Sequence, residues 1–114
     1  GALTAFQRII EIEAKALDSV EAALIQLDNY AASVGGYSRL MASANDRRTA
    51  LQRSVSSHRG QLHLNYRNSA IVLRDAGRQP EALAAAQSAL EVASDDERAI
   101  IDGLILDIEN RMNQ

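Results

Sequence analysis

The stretch LTAFQRIIEIEAKALDSVEAALIQLDNYAASVGG, residues 3–36, decides the fold class. Residues 3–34 contain neither glycine nor proline, and apolar side chains recur at alternating steps of three and four residues. The recurring positions are Leu3, Phe6, Ile10, Leu17, Val20, Leu24, Leu27, Ala31 and Val34. This spacing lines one side of a helix over four heptads, so we predict an α-helix over residues 3–34.

Other apolar residues widen this seam on one side. They are Ile9, Ile12, Ala16, Ala23 and Tyr30. A two-stranded coiled coil needs only the narrow seam, so the wider face predicts two neighbouring helices, as in a bundle. Glu13 interrupts the seam with a charge. We expect Glu13 to pair with an arginine across a hairpin, or else to fix register or oligomeric state.

Gly35 and Gly36 end the first helix, because glycine tolerates the positive φ that closes a helix. The short link predicts a second helix running antiparallel to the first, over residues 38–76. Gly60 lies within it and costs about 1 kcal/mol relative to alanine. A break near residues 58–61 is therefore the alternative to one continuous helix, which we prefer.

The end of the second helix is apolar on all sides, because residues 70–73 are Ala-Ile-Val-Leu. A helix of this kind is covered on all sides, so further helices are expected to pack there. Gly77 ends the second helix, and Pro80 is tolerated in the first turn of a third helix. That third helix is predicted over residues 80–93.

Ser94 and Glu97 have the spacing of a capping box, which predicts the start of a fourth helix over residues 95–112. Its expected inward residues are Ile100, Ile101, Leu104, Ile105, Ile108 and Met112. The predicted fold class is all-α, in a single domain over residues 1–114. It is a long antiparallel helical hairpin with two shorter C-terminal helices packed against one end.

Composition limits the functional classes. The chain has no cysteine, which excludes disulfides and thiolate metal sites, and only 4% aromatic residues, which predicts a core of aliphatic side chains and alanine. No apolar run is long enough to span a membrane and no secretory signal is visible, so we expect a cytoplasmic protein without membrane contact.

Charge is unevenly distributed although the net charge is only −3. Residues 1–37 hold two basic and five acidic side chains, residues 38–78 hold eight and two, and residues 79–114 hold two and eight. We interpret this as attraction between helices, with an arginine surface for an acidic partner as the alternative. An acidic chain without interleaved aromatic residues is not expected to bind nucleic acid.

His58 and His63 are the only histidines. They are five residues apart, so they do not share a helix face as a metal-binding pair would. His58 lies on the apolar face and is interpreted as a packed residue; the alternative is a phosphorylatable histidine of a phosphotransfer or kinase-dimerisation bundle. Nothing distinguishes a reactive serine, so we expect no enzymatic activity, no cofactor and no metal.

Residues 63–96 resemble one tetratricopeptide repeat, a unit of 34 residues that forms two antiparallel helices. The residues that carry the resemblance are Tyr66, Ala70, Leu73, Gly77, Ala82 and Ala89. Ala86 and Ser94 depart from the pattern, at positions where a large aromatic residue and proline are usual. No second copy is visible upstream, although such repeats normally stack in threes or more.

The resemblance implies that a ligand lies on the exposed face of the repeat's first helix. That face carries Leu64, Arg67, Ile71 and Arg74, and Arg78 lies near it. Arginine forks suit carboxylates, so an acidic or C-terminal peptide is the implied ligand. The alternative, which we favour, is that these arginines pair with acidic residues of the last helix, namely Asp102, Asp107 or Glu109.

We therefore expect a non-catalytic protein–protein interaction or oligomerisation module, an adaptor or scaffold that pairs with itself as a homodimer or larger assembly. Two helices of this length leave apolar stripes that two short helices cannot cover, and such stripes normally meet a partner. A small secretion-type chaperone and a histidine phosphotransfer bundle are the alternative functions.

Overall fold

The computed structural model describes residues 1–114 and contains helices without any strand. The four helices are α1 (Ala2–Ser33), α2 (Ser38–Asp75), α3 (Gln79–Val92) and α4 (Asp95–Met112). The all-α fold class is confirmed, and each predicted helix end lies within one residue of the observed one.

α1 and α2 lie side by side as an antiparallel hairpin whose register is marked by two polar contacts. Near the turn, Arg48 Nη2 donates to Asp28 Oδ1 over 2.5 Å. Farther along, His58 Nδ1 donates to Glu13 Oε2 over 2.5 Å. Beside the contact near the turn, a small apolar cluster forms from Leu27, Ala31 and Ala44.

The turn between α1 and α2 differs from the prediction in one respect. Neither Gly35 nor Gly36 has a positive φ, so the left-handed closure expected there is wrong. The chain reverses instead through a turn at residues 34–36, in which the amide of Tyr37 donates to the carbonyl oxygen of Val34 over 2.9 Å. Right-handed and extended conformations therefore suffice to bring α2 back alongside α1.

α2 continues through Gly60 without a break, as preferred from the sequence. A side chain at Gly60 would meet no other atom within 4 Å, so the missing Cβ is not required by packing. The α-helical backbone hydrogen bonds outweigh the local cost of one glycine in a helix of 38 residues.

The main core lies at the far end of the hairpin, where α3 packs against α2 and α4 packs against α3. Its buried members are Ala70, Leu73, Ala82, Ala86 and Ile108, and Leu3 of α1 packs against them. Alanines spaced along one face of α3 allow its backbone to approach α2 closely, which is why this end needs no large aromatic residue. Further helices pack at this end as predicted, but Ile71 and Val72 stay half-buried, so the end of α2 is not covered on all sides.

The junction of α2 with α3 is a Schellman motif, which Gly77 makes feasible with a φ of 79°. The amide of Arg78 donates to the carbonyl of Leu73 over 2.9 Å, and the amide of Gly77 donates to that of Arg74 over 3.0 Å. Pro80 follows in the first turn of α3, where its missing N–H is not needed.

The N-terminus of α4 has both hydrogen bonds of the predicted capping box. The amide of Ser94 donates to Glu97 Oε1 over 2.9 Å, and the amide of Glu97 donates to Ser94 Oγ over 3.4 Å. Along α4, Ile101 and Ile108 are fully buried as expected. Ile100 and Met112 are exposed, so their predicted inward orientation is wrong.

The molecule is an elongated rod of 63 × 27 × 16 Å with a radius of gyration of 18.3 Å. A compact chain of 100 residues has a radius of gyration of about 13 Å. Only 15 of the 114 residues are buried, so most of the hairpin's length has a core one helix pair thick.

Candidate interaction surface

One side of α1 carries an apolar surface that no other helix covers. Ile9, Ile12 and Tyr30 are exposed on it, and Ala16 and Ala23 between them are half-buried. These are the residues that widen the seam in the sequence, and we call them the α1 stripe. Of the two neighbouring helices predicted for this face, the chain supplies only α2 along most of its length, because α1 reaches the C-terminal helices only near its N-terminal end.

A shallow groove runs between the α1 stripe and α2 near the turn of the hairpin. It is lined by Ala23, Gln26, Leu27, Tyr30, Ser43, Ala44 and Arg47. Its floor is formed by the buried Leu27 and Ala44, while its walls contain polar groups from α2. Such an open, partly apolar trough can accept a side chain from a packed helix.

The face of α2 implied by the repeat resemblance is largely occupied by contacts within the chain. Arg74 Nη1 donates to Asp107 Oδ2 of α4 over 3.0 Å, and its Nε donates to Asp75 over the same distance. Arg78 forms a bidentate pair with Glu81 in the first turn of α3. Arg74 thus makes the pairing with the last helix that the sequence favoured.

The remaining residues of that face are less engaged. Leu64 is exposed, whereas Arg67 and Ile71 are half-buried. The five residues therefore do not form one open arginine surface, since the structure turns Arg74 toward α4 and Arg78 toward α3.

The pKa of Glu97 is lowered by its hydrogen bond from the backbone of Ser94, the largest cause, and further by the Ser94 hydroxyl and by the nearby side chains of His63 and Arg67. The buried His63 places Nε2 at 3.5 Å from Glu97 Oε2. The Glu97 carboxylate therefore connects the N-terminus of α4 to α2. This contact gives Glu97, Ser94 and His63 a structural role.

The partner of Glu13 is His58, so the expected pairing with an arginine is wrong. Both side chains are about three-quarters buried between α1 and α2. His58 is the partner because the register of the antiparallel helices places it opposite Glu13. This register cannot be read from the sequence of either helix alone. Glu13 and His58, the two polar residues that interrupt the apolar faces of α1 and α2, therefore form a hydrogen bond with each other. The position of His58 agrees with its interpretation as a packed residue.

A second groove lies on the opposite side of α1 from the stripe, between α1 and α3. It is lined by Gln7, Ile10, Glu11, Tyr66, Ser69, Leu73, Glu81, Ala84, Ala85 and Ser88. The hydroxyl of Ser69 is buried beneath it and has no hydrogen-bond partner within the chain. α3 therefore lies beside the edge of α1 that carries Gln7 and Ile10. The α1 stripe lies on the other edge, which no helix of the chain covers.

None of the sequence-predicted site residues lies on the α1 stripe. The sequence did contain its signal, the additional apolar positions beside the seam, but that signal also fits a face buried within the chain. No group of three His, Asp or Glu side chains comes close enough together to hold a metal ion.

None of the four helices combines the length and the apolar character that crossing a membrane requires. Comparison of the chain with known protein families, with curated proteins and with solved structures gave no match.

Proposed function

We propose that this chain is a non-catalytic protein–protein interaction module, of the adaptor or scaffold type, that associates with itself. The observation that supports this is its surface area. The chain exposes 7243 Å², whereas a compact monomer of 12.4 kDa is expected to expose about 6100 Å². The excess of about 1100 Å² is larger than the roughly 800 Å² that each partner contributes to a standard interface.

The chemical character of the exposed surface supports the same proposal. Ile12 is 60% exposed, and Tyr30 on the same side of α1 is 45% exposed. Scattered exposed aliphatic residues are ordinary, but a contiguous apolar side along a helix marks an interaction site. A second copy of the chain is always present at the concentration of the first, which makes self-association the simplest way to cover this side.

An acidic peptide is the weaker candidate for a partner. Arg74 and Arg78 already pair with Asp107 and Glu81, so an acidic ligand would have to replace contacts within the chain. A phosphotransfer role is also less supported. The ring of His58 is hydrogen-bonded to Glu13 between the helices, whereas a phosphorylated histidine has to be accessible to another protein.

Light scattering coupled to size-exclusion chromatography tests the proposal directly. We expect the wild-type chain to have at least twice the mass of 12.4 kDa at micromolar concentration and to dissociate on dilution. A single species of monomer mass at every concentration would contradict self-association.

A further inference from the structure

We propose that the α1 stripe is a two-fold interface for a second copy of this chain, in which two α1 helices pack antiparallel to each other. This inference rests on the proposed function, because it assigns the surface that self-association would use. It commits to one occupant, an identical chain, and to one geometry.

The first support is the uninterrupted apolar character of the surface. Six residues share one side of the helix, within a band of about 60°: Ile9, Ile12, Ala16, Ala23, Leu27 and Tyr30. No charged side chain falls in this band anywhere between residues 5 and 34. The band itself therefore offers a partner helix no charge of α1 to bury, and Arg47 of α2 lies at the wall of the adjacent groove.

The second support is the symmetry of the spacing. The six residues are separated by 3, 4, 7, 4 and 3 positions, a series that reads the same in both directions. A two-fold axis passing between Ser19 and Val20 would superpose this pattern on itself with the helix reversed. A two-fold contact requires such a self-complementary patch, because each residue of one copy meets its counterpart from the other.

The pairing that this axis gives is also suitable in size. Ala16 of one copy faces Ala23 of the other on both sides of the axis, so the two backbones can approach closely at the centre. The larger residues lie toward the ends, where Ile9 faces Tyr30. This arrangement of sizes suits a close crossing of the two helices at the axis.

The third support is a match between a projection and the groove beside the stripe. The same axis places Ile12 of one copy opposite Leu27 of the other, which forms the floor of the groove between α1 and α2. Ile12 is 60% exposed in the single chain. It would be enclosed by Ala23, Leu27 and Tyr30, as a knob enters a hole.

The contact closes on itself. The stripe runs from Ile9 to Tyr30, which is 22 residues and about 31 Å of helix between the two ends, and it is fully used by one partner. A closed two-fold contact produces a dimer and does not extend to larger assemblies. The opposite edge of α1 stays free for α3, which lines the second groove with Gln7 and Ile10.

The test compares two lysine variants on the same helix. Ile12→Lys places a charge in the α1 stripe, and Ile25→Lys, the matched control, changes a 64% exposed isoleucine on another side of α1. We expect Ile12→Lys to weaken the dimer by more than about ten-fold in dissociation constant, because it buries a charge without a partner. Ile25→Lys should leave the dissociation constant unchanged, and both variants should keep the wild-type helical circular dichroism.

Cross-linking tests the direction of the helices. The chain has no cysteine, so single-cysteine variants report one position each. When Ala16→Cys and Ala23→Cys are mixed and oxidised, we expect the mixed disulfide dimer to form in preference to either homodimer. The proposed contact brings residue 16 of one copy opposite residue 23 of the other at its centre, where a close approach of the backbones would suit a disulfide.

Each outcome separates the two proposals. A monomeric wild-type chain overturns both the self-association and this interface. A dimer that Ile12→Lys leaves intact keeps the proposed function and overturns the assignment of the α1 stripe. Homodimers linked through position 16 alone overturn the antiparallel geometry, and an assembly larger than a dimer overturns the closed two-fold contact.

Discussion

At the scale of single residues, α2 buries three polar side chains among its apolar ones. His63, Asn65 and Ser69 are each no more than 4% exposed. Asn65 Nδ2 donates to the carbonyl of Gln61 over 2.8 Å, whereas the Ser69 hydroxyl has no partner within the chain. A buried hydroxyl without a hydrogen bond costs free energy, so this position lowers the stability of the fold.

Ser69→Ala is therefore expected to raise the free energy of unfolding by about 1–2 kcal/mol. The gain combines removal of the unpaired hydroxyl with the higher helix propensity of alanine, which contributes about 0.5 kcal/mol. The exposed Ser57 on the same helix supplies the control, since Ser57→Ala changes propensity alone. Urea unfolding measures both, and equal gains for the two variants would contradict a cost of burial at Ser69.

The contacts between residues far apart in sequence mark the limit of what the sequence predicts. Glu13 was recognised as a charge that needs a partner, but the partner depends on the register of two helices that neither helix specifies alone. The sequence contains eight arginines in α2 and its following turn and only two histidines, so composition favoured an arginine. Register is a property of the packed pair, and it selected His58.

At the scale of elements, the helix boundaries were predictable because their signals are local. The capping box at Ser94 and the glycine at position 77 act through hydrogen bonds within a few residues. The faces of the helices were less predictable. The periodicity identifies an apolar side of α1 but does not state what covers it. In the structure, part of that side, the α1 stripe, is left exposed.

Gly60, inside α2, and Gly77, in the turn between α2 and α3, lead to opposite predictions. Gly60→Ala should stabilise by up to about 1 kcal/mol, because the backbone is helical and a Cβ meets no atom there. Gly77→Ala should destabilise by about 1 kcal/mol, because residue 77 has a φ of 79°. Thermal melts of the two variants give the comparison; the same sign for both would contradict the assignment of Gly77 as a left-handed cap.

The cap of α4 predicts a pH dependence. The folded chain holds the pKa of Glu97 below its usual value near 4.5, chiefly through the hydrogen bond from the Ser94 backbone. The charged form is therefore favoured by folding, and its contribution to stability is present above about pH 4.5 and lost as the pH falls through the folded-state value.

Glu97→Gln isolates that contribution, because glutamine keeps a side-chain acceptor for the amide of Ser94 but has no charge. We expect wild-type chain to be more stable than the variant at about pH 7, and the difference to shrink at about pH 3. Urea unfolding at both pH values measures it. A difference that is independent of pH would show that the charge of Glu97 does not contribute.

At the scale of the whole molecule, the core is unevenly distributed along the rod. The end formed with α3 and α4 contains the fully buried Ile101 and Ile108 and the five-residue cluster around Ala86. The turn of the hairpin contains only the three-residue cluster with Ala44. Because apolar burial is the main source of stability, the hairpin turn is expected to open more easily than the four-helix end.

Hydrogen exchange along α2 tests this gradient within a single helix. We expect amides of residues 42–52 to open with a free energy lower by roughly 2 kcal/mol or more than amides of residues 62–73. Ile12→Lys is the suitable background, because a dimer through the α1 stripe would protect the hairpin by mass action and hide its intrinsic stability. In the wild-type chain the same amides should then become more protected as protein concentration rises, while residues 62–73 change less. Uniform protection along α2 in the monomeric background would mean that the rod unfolds as one cooperative unit, with the thin hairpin as stable as the four-helix end.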